Sequence, residues 1–164
     1  MSDFTPDEIK RLRRLLDVDD IKKLGLLYSQ LQDHAYLDKL ADIFTEDALC
    51  EFGPYGTWNG RQEIRENYAK VKEANGGSSF SALHANSHHW VEMTGPDSAV
   101  GRRYLLDLMT TRPKDESPFI WLGLYDEEYR KVDGQWLIAR TTLQFLWPEK
   151  HITGDFPGEF PPRK

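Results

Sequence analysis

Residues 117–147 read SPFIWLGLYDEEYRKVDGQWLIARTTLQFLW, and this stretch decides the fold. Two runs of alternating apolar residues, 117–131 and 134–147, flank Asp133-Gly134. That dipeptide suits the two-residue hairpin turns whose central residues need positive φ. Trp136, Ile138, Leu143 and Phe145 mark the second run. Upstream, the same period of two runs through 81–93 and 98–111, joined by Thr94-Gly95-Pro96-Asp97. Successive long strands with short connections predict an antiparallel meander.

The preceding half has a helical period instead. Thr5-Pro6-Asp7-Glu8 carries a capping threonine, a proline at the first helical position and a glutamate that completes the box. A short helix is expected to about Leu16, and Asp17 is placed to cap a second one. There Ile21, Leu24, Tyr28 and Leu31 recur at helical spacing, so Tyr28 faces inward and Asp33 lies near the helix end. Leu37, Leu40, Ala41 and Phe44 continue as a third helical segment, stopped around Thr45-Glu46-Asp47. Residues 48–53 read as a short strand ending at Gly53-Pro54, with a hairpin return over 55–60. Next comes a helix from Arg61 to about Glu73, with Ile64, Tyr68 and Val71 on one face, and a flexible break over 75–79. Helices followed by a meander predict an α+β fold, with a strongly curved antiparallel sheet wrapped around the amino-terminal helices and a cavity left between them. One domain is expected over 1–164, with 1–16 as a helical extension and 151–164 as an irregular Pro/Gly-rich tail.

Composition narrows the function. Of 164 residues, 39% are hydrophobic and 12% aromatic, a composition that folds rather than staying disordered. The net charge of −6 opposes nonspecific nucleic-acid binding, which needs phosphate-neutralising cations. No apolar run approaches the roughly 18 residues of a membrane span. Ser2-Asp3-Phe4 begins no cationic or apolar leader, so a soluble, cytoplasmic protein is expected. Cys50, the single cysteine, excludes an internal disulfide and reads as a structural thiol in preference to a nucleophile.

The candidates for chemistry lie on the helix and on two of the strands. In Leu83-His84-Ala85-Asn86-Ser87-His88-His89-Trp90, strand alternation puts His84, Asn86, His88 and Trp90 on one face and His89 on the other. His84 and His88 then stand ~13 Å apart, too far to share an ion, and no metal site is expected. An imidazole with a carboxylate on its far nitrogen is a general base, because the partner fixes the tautomer and stabilises the protonated ring. Asp33 is the candidate partner; the alternative is a surface acid at a helix end, beside Asp38. Asp107 shares a strand face with Leu105 and Met109. A carboxylate there is costly to bury unless it is hydrogen-bonded or protonated, and the alternative is an ion pair with Arg103 on the same face. Tyr28 is either plain core or a phenol aimed at a ligand oxygen. Tyr55, Trp58 and His88 are the expected substrate contacts, with cover for a helix as the other reading of the first two. Arg102, Arg112 and Arg140 read as solvated or structurally paired.

The helix with Tyr28 and Asp33, the segment Leu40-Ala41-Asp42-Ile43-Phe44-Thr45-Glu46-Asp47-Ala48, Gly56-Thr57-Trp58-Asn59-Gly60-Arg61 and Lys131-Val132-Asp133-Gly134-Gln135-Trp136 together carry a resemblance. Over about residues 17–150 the chain resembles the SnoaL-like branch of the nuclear transport factor 2-like superfamily of cone-shaped α+β domains. Within it the chain is most similar to bile-acid 7α-dehydratase, scytalone dehydratase and the hexachlorocyclohexane dehydrochlorinase. The bile-acid enzymes' intervals, from a Tyr to an Asp and from a His to an Asp, are reproduced by Tyr28–Asp33 and His84–Asp107. The second pocket histidine of scytalone dehydratase, on a later strand, has no counterpart.

The resemblance implies a dehydratase with no metal or organic cofactor, acting on a hydroxylated cyclic ketone or a steroid- or polyketide-like molecule. In that reading His84, held by Asp33, takes the proton, Tyr28 meets the enolate oxygen, and Asp107 protonates the departing hydroxyl. It also implies a homo-oligomer, a dimer or trimer formed through the open sheet face. Other members point elsewhere: a ketosteroid-type isomerase or polyketide cyclase abstracts a proton without losing water, and a non-catalytic carrier or adaptor would have a filled cavity with Asp33 turned to solvent.

Overall fold

Thr5 opens the first helix, α1 (Pro6–Asp33). Its hydroxyl accepts from the Glu8 backbone N–H (3.3 Å), and the Glu8 carboxylate accepts from the Thr5 N–H (2.8 Å). The computed structural model describes residues 4–74 and 78–160, so 75–77 of the expected break lie outside the described residues. The helix does not stop near Leu16, and no second cap forms at Asp17. The Asp17 carboxylate instead accepts from Lys131 Nζ (2.6 Å) and Trp136 Nε1 (2.9 Å), tying the helix to the last hairpin. With no glycine or proline between Leu16 and Ile21, nothing in the backbone interrupts the run. α1 is capped at His34 and stopped by Ala35, whose φ of 60° is left-handed. The Ala35 N–H reaches the Gln32 carbonyl and the Tyr36 N–H reaches that of Leu31, both at 2.9 Å. This stop leaves Asp33 in the last turn.

α2 (Leu37–Asp42) is shorter than expected, because Phe44 already belongs to β1 (Phe44–Glu51). A single 3₁₀ turn (Gly53–Tyr55) returns the chain into β2 (Thr57–Asn59), antiparallel to β1, as the hairpin reading required. α3 (Gly60–Ala74) then carries the chain to the far edge of the sheet. The meander follows: β3 (Ala82–Met93), β4 (Ser98–Met109), β5 (Phe119–Val132) and β6 (Gln135–Trp147). The strand order is β2-β1-β6-β5-β4-β3. All neighbours are antiparallel except β1, which runs parallel to β6. The result is the expected α+β fold, a curved six-stranded sheet with the helices against its inner face. Ile21, Leu24, Tyr28 and Leu31 of α1 and Ile64 and Tyr68 of α3 share one core with sheet residues such as Phe44, Leu105, Ile138 and Phe145. Among the described residues no helix is long and apolar enough to cross a membrane.

Strand alternation fails in β3, where the register slips between Ser87 and Trp90 and His88 adopts a φ of 52°. The bulge turns His88 out to solvent, where it bonds Ser87 Oγ (2.9 Å), and sends His89 inward. Gly25 makes room for that ring: a Cβ there would lie 2.9 Å from His89. His89 Nε2 lies 2.9 Å from the Tyr129 hydroxyl, which donates to Glu127 (2.5 Å). Glu127 holds Arg103 through two bonds of 2.8 Å. Burial pushes the Glu127 carboxyl up, but the Arg103 guanidinium more than offsets this and holds it below its ordinary value.

The tail beyond β6 has no regular element. Thr153 exchanges two bonds with Gln144, and Arg102 stacks on Phe156 and Phe160 while donating to the Pro157 carbonyl (3.1 Å). The tail therefore straps the outer sheet face.

Arg103 and Glu127 are both fully buried, so removing one strands the other's charge. Arg103→Met is expected to cost about 3–5 kcal/mol in urea unfolding, and Arg103→Met with Glu127→Leu to recover most of that loss. Equal losses in the single and double variants would contradict the pairing.

Candidate active site

Asp33 projects from the last turn of α1 onto β3 and is 4% exposed. Its Oδ1 lies 2.6 Å from His84 Nδ1, and the carboxylate also accepts the His84 backbone N–H at 3.1 and 3.3 Å. An ionised carboxylate only accepts, so Nδ1 carries the proton and Nε2 presents its lone pair. That nitrogen faces Asp107 Oδ1 at 3.9 Å, across the β3–β4 pairing of His84 with Asp107. The surface-acid reading of Asp33 and the Arg103 reading of Asp107 both fail, the second because Glu127 already holds Arg103. Asp107 Oδ1 is buried without a hydrogen-bond partner among the described residues. Burial raises the Asp107 pKa, His84 works against the rise, and the Asp33 charge adds to it.

These groups open on a cavity of about 180 Å³. Tyr28, Asp33, His84 and Asp107 all line it, as do Tyr55 and Trp58. His88 does not, because the bulge in β3 reverses its side. Tyr55 is half-exposed at the mouth; its hydroxyl accepts from Trp121 Nε1 (3.1 Å) and its carbonyl from Trp58 Nε1 (3.0 Å). Tyr28 is 1% exposed, and its hydroxyl lies 2.6 Å from that of Tyr68. Burial pushes the phenols of Tyr28, Tyr68 and Tyr125 well above their ordinary value, so all three remain hydrogen-bond donors. Cys50 is fully buried and its thiol is pushed up by burial, the state of a structural thiol.

Sequence reasoning missed Tyr68, Tyr125 and Trp121 as cavity residues. The helical stripe of α3 does place Tyr68 inward, but nothing in the pattern tells a cavity wall from core. Tyr125 and Trp121 share a strand face, and alternation does not tell a cavity wall from core there either.

Residues 13–142 match the family described as a SnoaL-like domain. The chain belongs to that family. No protein of curated function matches the sequence. Solved structures do. An NTF2-like protein with a cystatin-like fold from Novosphingobium aromaticivorans has 19% identity and a TM-score of 0.75, over 91% of this chain and 94% of that one. A putative scytalone dehydratase from the same organism has 24% identity and a TM-score of 0.71, over 86% and 92%. A putative aromatic ring hydroxylase, also from that organism, has 26% identity and a TM-score of 0.66, over 82% and 92%. Their descriptions differ, so the likeness carries the cone of the SnoaL-like domain and leaves its chemistry to the site.

Burial favours the neutral form of Asp107, so the folded SnoaL-like domain keeps a proton that the unfolded chain releases. Stability falls as pH rises from 3.8 through the raised pKa, and the loss persists above it. Asp107→Asn is expected to gain stability over the wild type progressively across that window and to show no gain below it. A pH-independent difference in urea unfolding would contradict this account.

Proposed function

We propose that this SnoaL-like domain is a cofactor-independent dehydratase acting on a small hydroxylated cyclic ketone. The observation that carries the reading is the His84 imidazole, clamped at Nδ1 by Asp33, with Nε2 turned toward Asp107 at the cavity. The similarity to a structure described as a putative scytalone dehydratase supports the same reading.

The steps balance without an added reagent. His84 Nε2 takes the proton α to the carbonyl, and the Asp33 carboxylate stabilises the imidazolium. The electron pair moves into the carbonyl, which is the electron sink, so no metal or organic cofactor is required. The Tyr28 hydroxyl donates to the developing enolate oxygen, either directly or through the Tyr68 hydroxyl beside it. As the enolate collapses, the C–O bond at the β-carbon breaks and neutral Asp107 protonates the departing hydroxide. Water and a conjugated enone leave. The new Asp107 carboxylate then swings across the 3.9 Å that separates it from Nε2 into hydrogen-bond range, and the imidazolium returns its proton, resetting both groups.

Cavity size limits the substrate. At about 180 Å³ it is little larger than the roughly 150 Å³ that holds a benzene ring. One or two fused rings fit inside, and any remainder of a steroid- or polyketide-like molecule extends past Tyr55 at the mouth.

A panel of β-hydroxylated cyclic ketones, assayed for enone absorbance and for product mass, tests the proposal. Loss of one water from the substrate mass is expected, and His84→Ala should lower kcat/KM by about 10²–10⁴-fold. A product of unchanged mass would make the domain an isomerase, and near-full turnover by His84→Ala would remove the imidazole from the chemistry.

A further inference from the structure

The solvent face of α1 is apolar in a pattern that the fold does not use. Leu12, Leu15, Leu16, Leu26 and Leu27 are 39%, 63%, 63%, 59% and 44% exposed. At ~100° per residue they fall within an arc of about 120° on the side opposite the buried stripe of Ile21, Leu24, Tyr28 and Leu31. Between the two leucine groups lie Asp19 and Lys23, 2.6 Å apart and on the same arc. Residues 4–16 are exposed apart from half-buried Ile9, and over these first turns α1 reaches the sheet through Arg14, which pairs with Glu92 of β3 at 2.6 Å. Helix alone is marginal in water over so short a length.

We propose that this face is the contact surface for a second copy of the chain, packed antiparallel about a two-fold axis level with Ile21. The charges select that register. With the axis there, Asp19 of each copy lies opposite Lys23 of the other. On one flank Leu15 meets Leu26 of the second copy, and on the other Leu16 meets Leu27. The two leucine groups thus bracket a cluster of four compensating charges, as an isologous interface requires. Sliding one copy by a helical turn sets Asp19 against Asp19 or Lys23 against Lys23, and parallel packing does both. The overlap from Leu12 to Gln30 covers ~28 Å of helix axis at ~1.5 Å per residue.

The test is the solution mass of the full chain by sedimentation, with helix content followed by circular dichroism. The wild type is expected to be a dimer at micromolar concentration. Asp19→Lys and Lys23→Asp, each on an exposed position that leaves the fold intact, place four like charges at the axis and should each give monomers. An equimolar mixture of the two variants restores opposite charges across the axis and should give the dimer again. A monomeric wild type would overturn the proposal. So would variants that stay associated, as they would if copies met through the apolar outer sheet face at Trp90, Tyr104 and Leu106, or a mixture that stays monomeric.

Discussion

The Asp33 carboxylate takes hydrogen bonds from both the backbone and the ring of His84, and through them the helical layer is tied to the sheet at the cavity. The backbone bond fixes where the carboxylate sits, and the ring bond fixes which nitrogen of the imidazole is free. Neither is available to water, since Asp33 is almost wholly enclosed. Three features of the chain converge on this contact: the left-handed stop at Ala35, the inward stripe of α1, and the register of β3 against β4, which puts Asp107 beside His84. Change any one of them and the imidazole loses either its orientation or its acid.

The rest of the polar interior keeps that site free. Arg103 is the nearest cation on the Asp107 face of β4, and an ion pair between them would hold Asp107 ionised. Glu127 prevents it by taking two guanidinium bonds, while the rings of Tyr28 and Tyr125, themselves edge-to-face, lie against the same group at 4.7 and 4.2 Å. The cation therefore sits beneath two of the phenols that line the cavity, where it favours negative charge at their outer ends. The bulge in β3 serves the same network, because it brings His89 under Gly25 and onto Tyr129. Burial lowers the His89 pKa to about 4, so this histidine stays neutral and adds no charge near the site.

Much of this was legible in the residues. The period-two runs and Asp133-Gly134 predict the meander, and the helical stripe predicts that Tyr28 points inward, because both patterns follow from burial on one face. The intervals Tyr28–Asp33 and His84–Asp107 point to four residues that do line one cavity. Local rules missed what depends on distant partners. Asp17 has the chemistry of a helix cap, yet Lys131 and Trp136, far along the chain, claim its carboxylate. His88 and His89 exchange sides because a bulge adds a residue to one strand, and strict alternation has no place for it. The pairing of Arg103 with Glu127 instead of Asp107 is likewise set by the neighbouring strand.

The account rests on the imidazole of His84 being held as the Nδ1–H tautomer by Asp33. Nitrogen-15 NMR of histidine-labelled protein, with His84 assigned by its loss in His84→Gln, measures this directly. At neutral pH the account predicts a protonated Nδ1 whose proton exchanges slowly, a bare Nε2, and loss of both signatures in Asp33→Asn. A ring protonated at Nε2, or a tautomer mixture unchanged by Asp33→Asn, would contradict it.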